Sequence, residues 1–112
     1  MADKPKKYTV NIAKTAKNDL REIIAYISKN NPMNASRILK RIEDKIDTLC
    51  RFPLKGGYVP EFLKQNIKDY RQLIESPWRI IYRTDKDIVN VLLIIDSRRN
   101  TQDILVEKLV SK

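Results

Sequence analysis

Residues 88–95, Ile-Val-Asn-Val-Leu-Leu-Ile-Ile, place seven apolar side chains in eight positions. β-Branched residues dominate this run, and the polar turn Asp85-Lys86-Asp87 precedes it, so it reads as a strand. Successive strand side chains point to opposite faces, and here both faces are apolar except at Asn90. A strand of that kind must be covered on both sides. The chain therefore has to fold into layers around it.

Two further strands precede it. Residues 70–75 and 78–84 flank a tight turn at Ser76-Pro77. Trp78, Ile80 and Tyr82 share one side, while Arg79, Ile81 and Arg83 share the other. A side chain as bulky as Trp78 belongs in the core, with Tyr82, which turns Arg79 and Arg83 toward solvent or a ligand. Arg71 lies on the preceding strand, and Arg98-Arg99 follow the last one. The expected result is a sheet with a cationic face.

Residues 1–7 are a polar, Lys-rich lead-in expected to be loosely held. Residues 8–12 alternate as a first strand. Thr15 is expected to cap a helix running to about Lys29, whose stripe is Ala16, Leu20, Ile23, Ile24 and Ile27. Asn31 caps a second helix with Pro32 at its first position. Its stripe runs through Ala35, Ile38, Leu39, Ile42, Ile46 and Leu49 and ends near Phe52-Pro53, leaving Lys40, Arg41 and Lys45 on the wet face. Residues 53–67 are irregular, punctuated by Gly56-Gly57 and Pro60, with a turn of helix over residues 60–64. Asn100 or Thr101 caps a last short helix through Lys108, with Leu105, Val106 and Leu109 seeking cover. The fold class is α+β in one domain spanning residues 1–112, ordered β-α-α-β-β-β-α. A two-helix hairpin covers one face of a small, mostly antiparallel sheet. The other face must be met by the last helix and by something else.

Composition removes whole classes of chemistry. Histidine is absent, which deletes the commonest acid–base group and metal ligand. Cys50 is the one cysteine, so no internal disulfide forms, a reducing compartment is expected, and zinc sites and Ser-His-Asp catalysis are excluded. Cys50 itself reads as a small core filler. The two glycines are adjacent, which rules out phosphate-binding and dinucleotide-binding loops. No apolar run approaches the ~20 residues of a membrane span, so no membrane partner and a cytoplasmic location are expected. A net charge of +9 calls for an anionic partner. Any chemistry would run on Arg, Lys, Tyr or carboxylates without metal or cofactor; arginine can grip a phosphate at two points but is a poor base.

Asp69-Tyr70-Arg71-Gln72-Leu73, then Pro77-Trp78-Arg79-Ile80-Ile81-Tyr82-Arg83, then an apolar strand ending in Ser97-Arg98-Arg99 resembles the RelE/ParE superfamily of toxins. These belong to type II toxin–antitoxin modules of the plasmid-stabilisation kind. The helix holding Leu20-Arg21-Glu22-Ile23-Ile24-Ala25-Tyr26-Ile27 and the segment Phe52-Pro53-Leu54-Lys55-Gly56 extend the resemblance upstream. It implies a cognate antitoxin, with an acidic or amphipathic segment wrapping the basic surface of Arg71, Arg79, Arg83, Arg98, Arg99 and Lys64, and a hetero-oligomer of the two. ParE-like members inhibit DNA gyrase without a catalytic set; RelE-like members cut mRNA on the ribosome without metal. In a nuclease, the resemblance makes Arg79 and Arg99 the charge stabilisers, puts Arg71 where a lysine sits, and makes Glu61 the base. Leu73 replaces a second lysine, and Leu105 stands near a C-terminal tyrosine position. Loss of that proton-transfer residue favours the ParE-like reading. The alternatives are mRNA cleavage and a non-toxic basic module that binds protein or nucleic acid. Beside these roles, Glu61 also reads as an exposed loop carboxylate, and Arg79 and Arg83 as paired or solvated charges.

Overall fold

The computed structural model describes residues 7–110, so the expected lead-in lies outside the described residues except at Lys7. The elements are β1 (Thr9–Ile12), α1 (Lys14–Ser28), α2 (Pro32–Asp47) with a 3-10 turn over Thr48–Cys50, β2 (Gly57–Tyr58), α3 (Pro60–Leu63), β3 (Arg71–Glu75), β4 (Trp78–Asp85), β5 (Ile88–Asp96) and α4 (Thr101–Leu105). A π-helical turn over Val106–Val110 prolongs α4. The five strands lie in the order β1-β5-β4-β3-β2. β1 runs parallel to β5, and every other pair is antiparallel. This is the expected α+β arrangement, with the turn of helix expected over residues 60–64 present as α3 and with β2 added. Two residues long, β2 is too short for periodicity to reveal.

Both faces of β5 are buried, as its composition requires. Val89, Val91 and Ile94 pack against Ala16, Ile38, Ile42 and Ile46 of the hairpin. Leu93 and Ile95 pack on the opposite face with Val59, Phe62 and Leu105. The missing cover for that second face is therefore α3 together with α4. A β-bulge makes the change of side: Ile81 pairs with Leu93 and Tyr82 with Val91, so Leu92 is an extra residue and packs beside Leu93.

Local signals account for α2. Asn31 Oδ1 accepts from the Asn34 N–H at 3.0 Å, and Pro32 opens the helix. The helix ends at Asp47, earlier than the stripe suggested, because the chain tightens into the 3-10 turn that carries buried Leu49. Two residues expected on its wet face, Arg41 and Lys45, reach Glu75 at the end of β3. The expectation at α1 fails. Ala13 is its N-cap and no side chain caps it. Thr15 Oγ1 instead donates to the Leu92 carbonyl at 2.6 Å, and Asp19, one turn later, accepts from the Ile94 N–H at 2.9 Å. β1 stops opposite Val91, so the rest of β5 has an open edge. The side chains of α1 satisfy its backbone there.

Between hairpin and sheet the chain turns tightly at Gly56, whose N–H donates to Tyr82 Oη at 3.0 Å. A Cβ on Gly56 would lie 2.4 Å from the Gln72 carbonyl oxygen and 2.7 Å from Tyr82 Oη, whereas one on Gly57 meets nothing within 4 Å. Gly56→Ala should therefore destabilise the protein by about 2 kcal/mol or more, and Gly57→Ala by less than about 0.5 kcal/mol. Urea denaturation of the two variants checks this; equal stabilities would contradict the close packing at Gly56.

Candidate functional site

Strand alternation places Arg79 on the α3–α4 face of β4, opposite Ile74 and Ile95 in the ladder. Pro60 starts α3, which sets Glu61 in its first turn, and Thr101 begins α4. These elements converge. Arg79 Nη1 and Nη2 donate to the two carboxylate oxygens of Glu61 at 2.7 and 2.8 Å, a two-point pair. Arg79 Nε donates to Gln72 Oε1 at 2.8 Å. Thr101 Oγ1 donates to Glu61 Oε2 at 2.7 Å. Arg79 is only 7% exposed. The sequence pattern sent it to solvent or a ligand; the structure buries it in an internal ion pair.

The Arg79 guanidinium, helped by the Thr101 hydroxyl, outweighs burial and holds the Glu61 carboxyl down at about 2. A carboxylate in that state is a weak proton acceptor. Its partner guanidinium has all three nitrogens engaged. Each group cancels what the other could offer a phosphate.

The other arginines do not gather around this pair. Arg71 stands opposite Tyr82, whose ring lies in the hairpin core, so Arg71 and Arg79 point to opposite faces of the sheet. The single cationic face expected from the sequence does not form. Its clue was present: a two-residue connection at Ser76-Pro77 puts Glu75 opposite Trp78 and therefore Arg71 opposite Tyr82. Arg71 Nη1 donates to the Gly56 carbonyl at 2.8 Å and the Leu54 carbonyl at 3.4 Å, and its guanidinium lies 4.5 Å from the Tyr58 ring centroid. Arg83 is exposed, 5.9 Å from the Tyr70 ring. Arg98 grips Asp96 through Nε at 2.9 Å and Nη2 at 2.7 Å, and holds that carboxyl below its usual range. Arg99 and Lys64 are exposed. Trp78 is half-buried beside the hairpin core and Cys50 is partly buried.

Arg98 and Arg99 face a groove of about 650 Å³ bounded by α1, the Trp78 end of β4, the second half of β5 and the C-terminal helix. Ile23, Ile27 and Trp78 give it apolar walls; Arg99 and Lys108 meet Asp19 and Glu22 across it. Burial pushes the Asp19 carboxyl up, against the pull of the Ile94 N–H. Lys108 and Asp19 carried no sequence signal, since only the tertiary fold brings their helices together. Among the described residues no helix is long and apolar enough to cross a membrane.

The family model of the ParE toxin of the type II toxin–antitoxin system parDE matches residues 10–101. Y4kP of Sinorhizobium fredii, a protein named as a toxin, is 32% identical over 88 residues, covering 77% of this chain and 84% of that one. Among solved structures, the chromosomal ParDE system of P. aeruginosa superposes with a TM-score of 0.67 at 18% identity, covering 81% of this chain and 97% of that one. The toxin–antitoxin complex RelBE2 of Mycobacterium tuberculosis gives 0.58 at 26% identity, covering 85% and 97%. A variant of the E. coli toxin RelE in the free state gives 0.61 at 14% identity, covering 92% and 95%.

Glu61→Gln would leave a buried guanidinium without its counter-charge, and stability at neutral pH should fall by about 3 kcal/mol. The folded-state carboxyl sits at about 2, against an ordinary 4.5. Its contribution is therefore fully present above about pH 4.5 and is lost as pH falls toward 2. The gap between wild type and variant in urea should close over that window; a gap that stays constant would contradict the pairing.

Proposed function

Since the chain belongs to the ParE toxin family of type II toxin–antitoxin systems, we propose that it is a ParE-like inhibitor of DNA gyrase, silenced by a cognate antitoxin. The observation that carries the choice of target is the buried two-point pairing of Arg79 with Glu61. Cleaving mRNA through its own 2′-hydroxyl needs a proton acceptor and a cation free to meet the phosphate as charge develops. Here the acceptor is held at about 2 and the cation is buried behind it. Arg71 is committed to the backbone at Gly56. Leu105, near the position of the nucleases' tyrosine, is fully buried in the core. Inhibition by binding has no such requirements.

The groove beside Arg99 and Lys108 is the proposed seat of an amphipathic antitoxin segment. It offers apolar walls, and Arg99 and Lys108 line it together with Asp19, Glu22 and Glu107, on a chain of net charge +9. Such segments order on binding and can cover large areas. Arg83 and Lys64 are exposed charges that add to the attraction.

Expression without antitoxin should arrest bacterial growth with an SOS response and intact mRNA. The purified protein should block supercoiling by gyrase. Arrest accompanied by cut mRNA, with gyrase unaffected, would overturn the choice of target. Rim charges act mainly on association. Arg99→Glu combined with Lys108→Glu should therefore slow antitoxin binding about tenfold at low ionic strength, with the difference narrowing in high salt. Stopped-flow mixing at two salt concentrations measures this, and a salt-independent difference would count against an electrostatic rim.

A further inference from the structure

The segment from Phe52 to Tyr58 carries three large apolar side chains into solvent: Phe52 at 60%, Leu54 at 61% and Tyr58 at 38% exposure. Single exposed apolar residues are ordinary, but a cluster on one short stretch marks an interaction surface. The stretch is also held firmly. Lys55 N–H closes a turn onto the Phe52 carbonyl at 3.2 Å, Lys55 Nζ reaches Thr48 Oγ1 at 3.1 Å, and Arg71 and Tyr82 fasten it to the sheet at Gly56. The Arg71 guanidinium also lies over the Tyr58 ring. A plain connector gains nothing from such fixing while leaving its apolar groups wet.

Charge sharpens the picture. Lys55 lies within the stretch, Arg51 immediately precedes it and Arg71 is beside it, and residues 48–60, between Asp47 and Glu61, contain no Asp or Glu. The exposed apolar side chains thus stand with basic residues as their sequence neighbours, and Arg71 lies over the Tyr58 ring. It sits at the β2 edge of the sheet, whereas the groove lies along β5, with β3 and β4 between them. The two surfaces lie toward opposite edges of the sheet.

We propose that the 52–58 loop is the surface with which the toxin grips its protein target, docking into an apolar pocket rimmed by acidic residues. This rests on the reading of the chain as a toxin that acts by binding. A polyphosphate backbone would match the cations but leave Phe52 and Leu54 without an apolar partner. A protein pocket matches both. Because the loop is fixed in advance, little ordering entropy is lost on docking, and Tyr and Arg, paired here as Tyr58 and Arg71, are enriched at binding hot spots.

The test compares wild type with Phe52→Ala/Leu54→Ala, both positions being largely exposed so that the fold is not at risk. The double variant should keep its melting temperature and bind antitoxin within about twofold of wild type. It should need about tenfold more protein for the same growth arrest and for half-inhibition of gyrase, since two anchors of this kind are worth upward of a tenfold change in affinity. Unchanged arrest would overturn the proposal, and so would a parallel loss of antitoxin binding, which would make the loop the antitoxin's seat. Growth arrest by wild type with gyrase untouched would defeat the gyrase assignment alone, because the arrest comparison still reads the loop.

Discussion

A strand with apolar side chains on both faces cannot lie at a surface, and the architecture follows from that fact about β5. The hairpin of α1 and α2 supplies a thick cover for one face through the long stripe of Ala35, Ile38, Ile42 and Ile46. Among the described residues, the opposite face is covered by α3 and α4, four and five residues long, with the π turn beyond and Ile67 and Tyr70 packed beside them. Helices that short are marginal by themselves and owe their stability to tertiary anchoring. The anchor is polar. Arg79 on β4 joins Glu61 of α3 and Gln72 of β3, and Glu61 in turn joins Thr101 of α4. A buried ion pair adds little net stability compared with apolar packing, but it fixes geometry because each partner is costly to leave alone. Arg79 is thus the clasp of the thin layer.

The second consequence of β5 is its unequal partner. β1 pairs with it only as far as Val91 and leaves the remaining edge bare. Bare edges invite pairing with other chains. Thr15 and Asp19, one helical turn apart, place a donor and an acceptor against Leu92 and Ile94. The shortness of β1 also opens the groove, since no strand fills the space between α1 and the end of β5. One truncation therefore creates both a backbone demand, met by α1, and the concavity that a partner can enter.

What could be read from the sequence divides along the range of the interactions. The Asn31-Pro32 start of α2 and the two-faced β5 are local and stood out in the pattern. Thr15 resembled a cap because Thr before an amphipathic stripe often is one; its acceptor, Leu92, is 77 residues away. Alternation gave the correct face of Arg79 but could not name Glu61, 18 residues upstream on a helix too short to show a period. Arg71 is different. Its face was implied by the length of the turn at Ser76-Pro77, and counting pairs across that turn separates it from Arg79. Charge alone suggested a shared surface; register decided otherwise.

The state of one guanidinium governs what this scaffold can offer a phosphate. A free arginine at this position would stabilise charge on a phosphate. An arginine already holding a carboxylate at two points must release one anion to take another. The exchange gains no charge neutralisation and leaves Glu61 to find new donors besides Thr101. Any phosphate would then compete with a counter-ion tethered at effectively millimolar concentration or higher, in a site with only 7% of its arginine open to solvent. The positive charge that remains available is spread over many exposed side chains, Arg51, Lys55, Lys64, Arg83 and Arg99 among them. That distribution suits long-range attraction to acidic protein surfaces better than a focused attack on one phosphodiester.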